Sequence, residues 1–372
     1  MGCQRRCESC YPLRAQLNQF MKRVLLAAVI VSMPLAGAGQ SPDGWPPPSL
    51  RETGLYADWD TKTVGPGKLH FSPQYPLWTD GAIKTRWMEL PAGTFINASN
   101  PDVWQFPVGT RFWKEFRFSR RAETRFIEHT AQGWKYATYA WNEGESDAPL
   151  APERGIARSV AIRDQVSHGI PSRSDCKSCH EASPVRILGF STLQLSADRD
   201  PNAPHAERLS DDGITLRTLI ARGLLRGLPR HLSDGAPRIA AKSPTARAAL
   251  GYLHGNCGYC HTLSGELASL KFSLLYPLAA VSAADPPALA TTLGQISKYV
   301  PPSWDAPGDR LVAGQPDRSV LAIRMASRNP VAQMPPLGSR IVDEEAVALI
   351  HRWIAEGMDT KVSKHKPIEE RQ

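Results

Sequence analysis

The chain of 372 residues is poor in cysteine, and none of its seven thiols stands alone. Cys3, Cys7 and Cys10 crowd the N-terminus, and the other four form two C-x-x-C pairs. A disulfide-dense secreted scaffold is therefore excluded. Long apolar runs are also missing. The unbroken stretch Val24 to Val31 is only eight residues, too short to span a bilayer. No basic run with interleaved aromatics appears, so nothing reads as a nucleic-acid footprint. Methionine is absent between His180 and Met325. The remaining composition, 42% hydrophobic and 22% charged, is ordinary for globular protein and excludes wholesale disorder or a fibrous chain.

Met21 opens a segment shaped like a secretory signal peptide. Lys22 and Arg23 give a positive start, Val24 to Val31 an apolar centre, and Ala36-Gly37-Ala38 small residues for cleavage. Export to the periplasm is expected, with no transmembrane segment after cleavage. Met21 then reads as the initiator, and residues 1–20 as an upstream extension. The C-x3-C-x2-C spacing of Cys3, Cys7 and Cys10 resembles the iron–sulfur motif of radical-SAM enzymes, but an export signal follows instead of an α/β barrel. Residues 1–38 hold five Lys or Arg against one Glu, so the net charge falls from +8 to +4 without them.

The rest of the chain changes texture near residue 167. Ser41 to Ser49 reads as a stiff extended linker. From about Leu50 to Val166 the pattern is strand-like, and eight of the ten Trp lie between Trp45 and Trp141. Phe112, Phe116 and Phe118 alternate with Trp113, Glu115 and Arg117. Trp134, Tyr136 and Thr138 alternate with Lys135, Ala137 and Tyr139. An antiparallel β domain, of sandwich type, is expected. Beyond it, Leu216, Leu219, Ile220 and Leu224 predict a helix ended by Gly227 and Pro229. Ser243-Pro244 predicts a helix start, followed by Ala246, Ala249, Leu250 and Leu253 on one face. Asp343 predicts the cap of a last helix carrying Val347, Ile350, Trp353 and Ile354, with Gly357 as its stop. The expected fold class is α+β: an N-terminal antiparallel β-rich domain, then a mainly α-helical region. The expected segments are 1–38 (extension and leader), 39–166 (β-rich), 167–240 and 241–359 (one C-x-x-C pair each), and 360–372 (disordered tail).

The chemistry lies in Cys176-Lys177-Ser178-Cys179-His180 and Cys257-Gly258-Tyr259-Cys260-His261. Two thiols three positions apart can each form a thioether to a haem vinyl group, and the next His then supplies the proximal iron ligand. Two such motifs behind an export signal predict two covalently attached c-type haems. A zinc site of four thiolates competes. Zinc ribbons separate their pairs by about 15–20 residues, whereas 77 lie between Cys179 and Cys257. Zinc also gives no reason for a His after each pair. For the second haem, Met334 in Gln333-Met334-Pro335-Pro336 is the expected sixth ligand, with Met325 as rival. Met/His ligation raises the reduction potential relative to bis-His ligation. For the first haem, His168 and His205 are candidates, then His231 and His254, and a five-coordinate iron remains open.

Those residues carry a resemblance. From Ser243 to Gly357 the chain resembles a class I cytochrome c domain, with a helix leading into C-x-x-C-H, a Met-Pro loop and a C-terminal helix. The resemblance implies that the two terminal helices cross, pairing Gly251 and Tyr252 with the face of Ile350 and Trp353. More broadly, the chain is similar to an uncharacterised family of exported bacterial dihaem c-type cytochromes with an aromatic-rich N-terminal region. Matching stretches include Gly54-Leu55-Tyr56, Tyr75-Pro76-Leu77-Trp78, Tyr139-Ala140-Trp141-Asn142-Glu143 and Ser327-Arg328-Asn329. One departure is the long insert from Thr262 to Gln333.

The resemblance implies electron transfer between the haems and a redox partner protein, not a stand-alone enzyme. A dihaem peroxidase or oxidase, open to substrate at the first haem, is the alternative. Known dihaem peroxidases use a bridging Trp, and none lies between Trp141 and Trp304. A third reading makes the β domain a glycan- or protein-binding module.

Overall fold

Period-two alternation builds one sheet. In the computed structural model, which describes residues 44–279 and 286–357, five strands run antiparallel in chain order. They are β1 (Leu69–His70), β2 (Ile83–Glu89), β3 (Arg111–Arg117), β4 (Arg121–Thr130) and β5 (Gly133–Ala140). Cys3, Cys7, Cys10, the leader Met21 to Ala38 and the tail Thr360 to Gln372 lie outside the described residues.

The register sets Trp87 opposite Trp113, Trp113 opposite Phe126, and Phe126 opposite Ala137. That face packs on Leu50, Leu55 and Trp141. The other face carries Met88, Phe112 and Ile127 against Phe71, Phe190 and Leu219. Side chains one residue apart point to opposite faces, so each aromatic is committed to one core.

The β region differs from a sandwich. Among the described residues the remaining strands pair only as two-stranded ribbons, one of them the parallel pair Ile96–Asn97 with Leu225–Arg226. The chain beside β5 is rich in proline: the Pro149 carbonyl accepts the Ala140 N–H at 3.0 Å, and the Pro48 carbonyl accepts the Leu150 N–H at 2.9 Å. Proline has no N–H to offer a ladder, and these segments join the sheet edge by isolated bridges and form no second sheet. Strands and helices segregate along the chain, which makes the fold α+β.

Four helices matter for the site: α1 (Arg173–His180), α2 (Pro244–Asn256), α3 (Val320–Met325) and α4 (Glu344–Ala355). Ser243 caps α2 by accepting from the Ala246 N–H, with Pro244 in the first turn. Asp343 caps α4, and Gly357 follows in the left-handed region at φ +84°. The helix expected through Leu224 stops sooner, at Ala221. Gly223 turns left-handed there, and Leu225 joins the parallel ribbon.

Helices α2 and α4 pack together, burying Leu250, Leu253, Ile350, Trp353 and Ile354. Each such aliphatic side chain contributes roughly 1.5–3 kcal/mol. Tyr252 reaches α4 through a hydrogen bond to Asp343 at 3.0 Å. Gly251 does different work: a Cβ there would overlap the Tyr75 ring, and one at Gly255 would overlap the Tyr75 carbonyl. The bare stripe of α2 thus receives Tyr75, from the segment between β1 and β2. All the described residues fall in one compact unit. Among them, no helix is long and apolar enough to cross a membrane.

Candidate functional site

Helix α1 carries the first motif and is short, so its ends matter. Ser172 accepts from the Asp175 N–H at 3.1 Å, and Asp175 returns the bond to the Ser172 N–H at 2.9 Å. This capping box satisfies two donors that an eight-residue helix otherwise leaves open. The helix lies against β5, and Thr138 hydrogen-bonds Cys176.

The second motif follows α2. The Cys257 N–H closes on the Leu253 carbonyl at 2.9 Å, and the His261 N–H turns back to the Cys257 carbonyl at 2.9 Å. The turn therefore fixes where Cys257, Cys260 and His261 leave the helix end.

Both motifs meet in one cavity. Cys176, Cys179, His180, Cys257, Cys260 and Met334 all line a space of about 1600 Å³, counting its open mouth. Phe71, Phe112, Ile127 and Ile187 make its walls largely apolar. The Cys179 and Cys260 thiols are neighbours, and their interaction raises the pKa of Cys179 and lowers that of Cys260. Burial pushes Cys257 up to about 12 and raises Cys176, so these two are held as thiols.

The two histidines differ. His180 donates its Nδ1 proton to the Arg186 carbonyl at 2.6 Å. A carbonyl can only accept, so Nε2 keeps the lone pair. Burial pushes this imidazole down to about 4, and it stays neutral. His261 is likewise pushed down to about 4 by burial, but its Nδ1 is buried without a partner. Its ring sits 4.5 Å from Phe272, outside the cavity lining.

Met334 is presented by a clamped loop. Its N–H donates to the Arg324 carbonyl at 3.0 Å, and Arg324 Nε holds the Ala332 carbonyl at 2.8 Å. Met325, on α3, also lines the cavity while belonging to the helical core.

The other histidines are engaged elsewhere. His168 is buried with Nε2 on Glu123 at 3.0 Å. His205 faces two carboxylates, Asp343 at 2.8 Å and Glu345 at 3.4 Å, and stacks on Trp78. Neither lines the cavity. His231 is exposed. His254 is buried in the core, where its Nδ1 accepts the Tyr276 N–H at 3.2 Å. Among the described residues, no three His, Cys, Asp or Glu side chains are placed to hold a metal ion together. The tetrathiolate alternative thus has no assembled site.

Sequence reasoning missed the cavity's polar wall. Arg86, Lys114 and Arg125 all line it. A signal existed for Lys114, which stands between Phe112 and Phe116 at period-two spacing and so shares their buried face.

Compared with protein-family models, curated proteins and solved structures, the chain matches none of them.

Proposed function

We propose that this protein is an exported dihaem c-type cytochrome that passes electrons between its two haems and a redox partner protein. One observation carries the reading. Two C-x-x-C-H segments, with 77 residues between Cys179 and Cys257, open on a single largely apolar cavity in which Cys179 and Cys260 are neighbours. Cys176 and Cys179 would hold one haem and Cys257 and Cys260 the other, by thioether links. His180 and His261 would supply the proximal nitrogens, and Met334 the sulfur ligand of the second iron. Each haem, when bound, supplies a one-electron iron couple.

The chain's own contribution is placement and exclusion of water. His180 is suited to ligation because its Nδ1–H is tied to a carbonyl, the arrangement that fixes a metal-binding imidazole. His261 lacks that support, since its Nδ1 is unpartnered. The thiol contact brings the two attachment sites side by side, which favours direct transfer between the haems. The similarity of the α2–α4 region to a class I cytochrome c domain supports the Met334 role, and the leader-like segment at Met21 supports a periplasmic location.

The test is periplasmic expression followed by intact-mass and absorption measurement. Two haems per chain and two one-electron steps are expected. The pairs Cys176→Ala/Cys179→Ala and Cys257→Ala/Cys260→Ala should each leave one haem. A protein matured in the periplasm without tetrapyrrole at these thiols overturns the reading.

The peroxidase or oxidase alternative gains one observation. Trp78, from the segment between β1 and β2, lines the same cavity as both motifs. A high-spin ferric spectrum with rapid reaction toward hydrogen peroxide would favour it over electron transfer alone.

A further inference from the structure

The register of the sheet places three cations in a row. Arg86 on β2 lies opposite Lys114 on β3, and Lys114 lies opposite Arg125 on β4. All three side chains line the cavity that both C-x-x-C-H segments share. Like charges directly opposite on a sheet destabilise it, so such a row needs counter-charge. Two members have one. Arg86 makes a two-pronged pair with Glu207 at 2.5 and 3.0 Å, and Arg125 holds Glu123 at 2.6 and 3.2 Å.

Lys114, the central member, has none. It makes no hydrogen bond or ion pair among the described residues, and its amine lies 4.9 Å from the Phe116 ring of its own strand. The charged groups acting on it most strongly are Arg86, Lys84, Arg125 and Glu207. Asp175 and Asp343 also line the cavity, each hydrogen-bonded elsewhere, to the Ser172 N–H and the Tyr252 hydroxyl. Glu207 is already committed to Arg86. Burial in a largely apolar cavity, with Arg86 and Lys84 near, pushes the partly buried Lys114 amine well below the ordinary lysine range, and an anion beside it would restore the charge. The shape of the site thus describes its occupant: a mainly apolar body carrying an acid group.

We propose that Lys114, flanked by Arg86 and Arg125, forms an oxyanion site on the cavity wall. The ligand chemistry is a carboxylate or a small inorganic oxyanion. It has two sources, an acid group of the resident cofactor or a soluble oxyanion that enters through the mouth. The inference deepens the dihaem reading and rests on it for the first source only.

The experiment uses full-length protein from periplasmic expression, as wild type, Lys114→Met, Lys114→Arg, and Lys298→Met as an exposed control. Haem content is read first by mass. Potentiometric titration and the Soret band with added nitrite or inorganic phosphate follow. If the acid group belongs to the cofactor, Lys114→Met lowers one of the two midpoints without added anion. Lys114→Arg restores it, and Lys298→Met leaves both in place. If the source is soluble, nitrite or phosphate perturbs the wild-type Soret band, and Lys114→Met loses that response at least tenfold. Equal midpoints and equal anion responses in wild type and Lys114→Met overturn the site. If mass shows no haem, the dihaem reading fails on its own. The oxyanion site is then read by calorimetry with phosphate, where equal heats in wild type and Lys114→Met overturn it. Should Lys114→Met not fold, Lys114→Gln takes its place in every arm.

Discussion

The two C-x-x-C-H segments share a cavity but are held by different physics. The first sits on an eight-residue helix, α1, whose residues are at most partly buried. Its order comes from a capping box and from the sheet behind it. The second follows a 13-residue helix, α2, nine of whose residues are buried. Its order comes from the helical core. The histidines follow suit: His180 is oriented by a carbonyl, and His261 by packing against Phe272. A C-x-x-C-H segment therefore need not bring its own scaffold, and one chain can place two copies by unrelated means.

The largest expected effect strikes the second segment alone. Gly251→Ala drives a methyl group into the Tyr75 ring. Overpacking of this kind costs about 1–3 kcal/mol, against at most about 1 kcal/mol regained in helix propensity. The overlap is deep, so chemical denaturation should show a net loss of up to about 2 kcal/mol. Wild-type stability in this variant would mean that Tyr75 does not seat on α2.

Acid should also act through the second segment. Burial holds His254 down at about 4, from an ordinary 6.5. The unfolded chain binds this proton first, so neutral His254 contributes stability that is complete above pH 6.5. That contribution is lost as pH falls toward 4. Urea midpoints from pH 7 to 4.5 should fall less steeply in His254→Gln than in wild type. Parallel slopes would remove His254 from the account.

The smallest effect sharpens the contrast. Ser172→Ala and Ser243→Ala each delete an N-cap, a loss of about 1 kcal/mol. The consequence should differ by place. Hydrogen exchange at Cys176 to His180 should rise in Ser172→Ala, because α1 has only a partly buried face to hold it. The amides of α2 should stay protected in Ser243→Ala, because its core remains. Equal local exposure would show that both helices depend on their caps alone.

Sequence alone gave good access to whatever is encoded locally. Ser243-Pro244, Asp343 and Gly357 mark the ends of α2 and α4 because capping chemistry acts within three or four residues. The strands β3 and β5 follow from alternation for the same reason. What pairing decides was out of reach. The Arg86–Lys114–Arg125 row exists only through the register of three strands. His168 and His205 looked available until carboxylates 45 and 138 positions away came to meet them. Periodicity near Pro47 and Pro149 could not tell an edge segment held by isolated bridges from a full strand, since proline withholds its N–H and leaves the aromatic pattern intact.

One tie described only by its ends has a consequence for the order of assembly. The Asp80 carboxylate accepts the backbone N–H groups of Arg340 and Ile341 at 2.6 and 2.9 Å, across 260 and 261 positions. These residues follow the Met334 loop directly. That loop can reach its final shape only after the earliest part of the sheet has closed on nearly the last part of the chain. Contacts of such separation form late and slowly. A fragment beginning at Ser243 would keep the Arg324 clamp on Met334 and lose the Asp80 anchor, leaving the segment after the loop untethered.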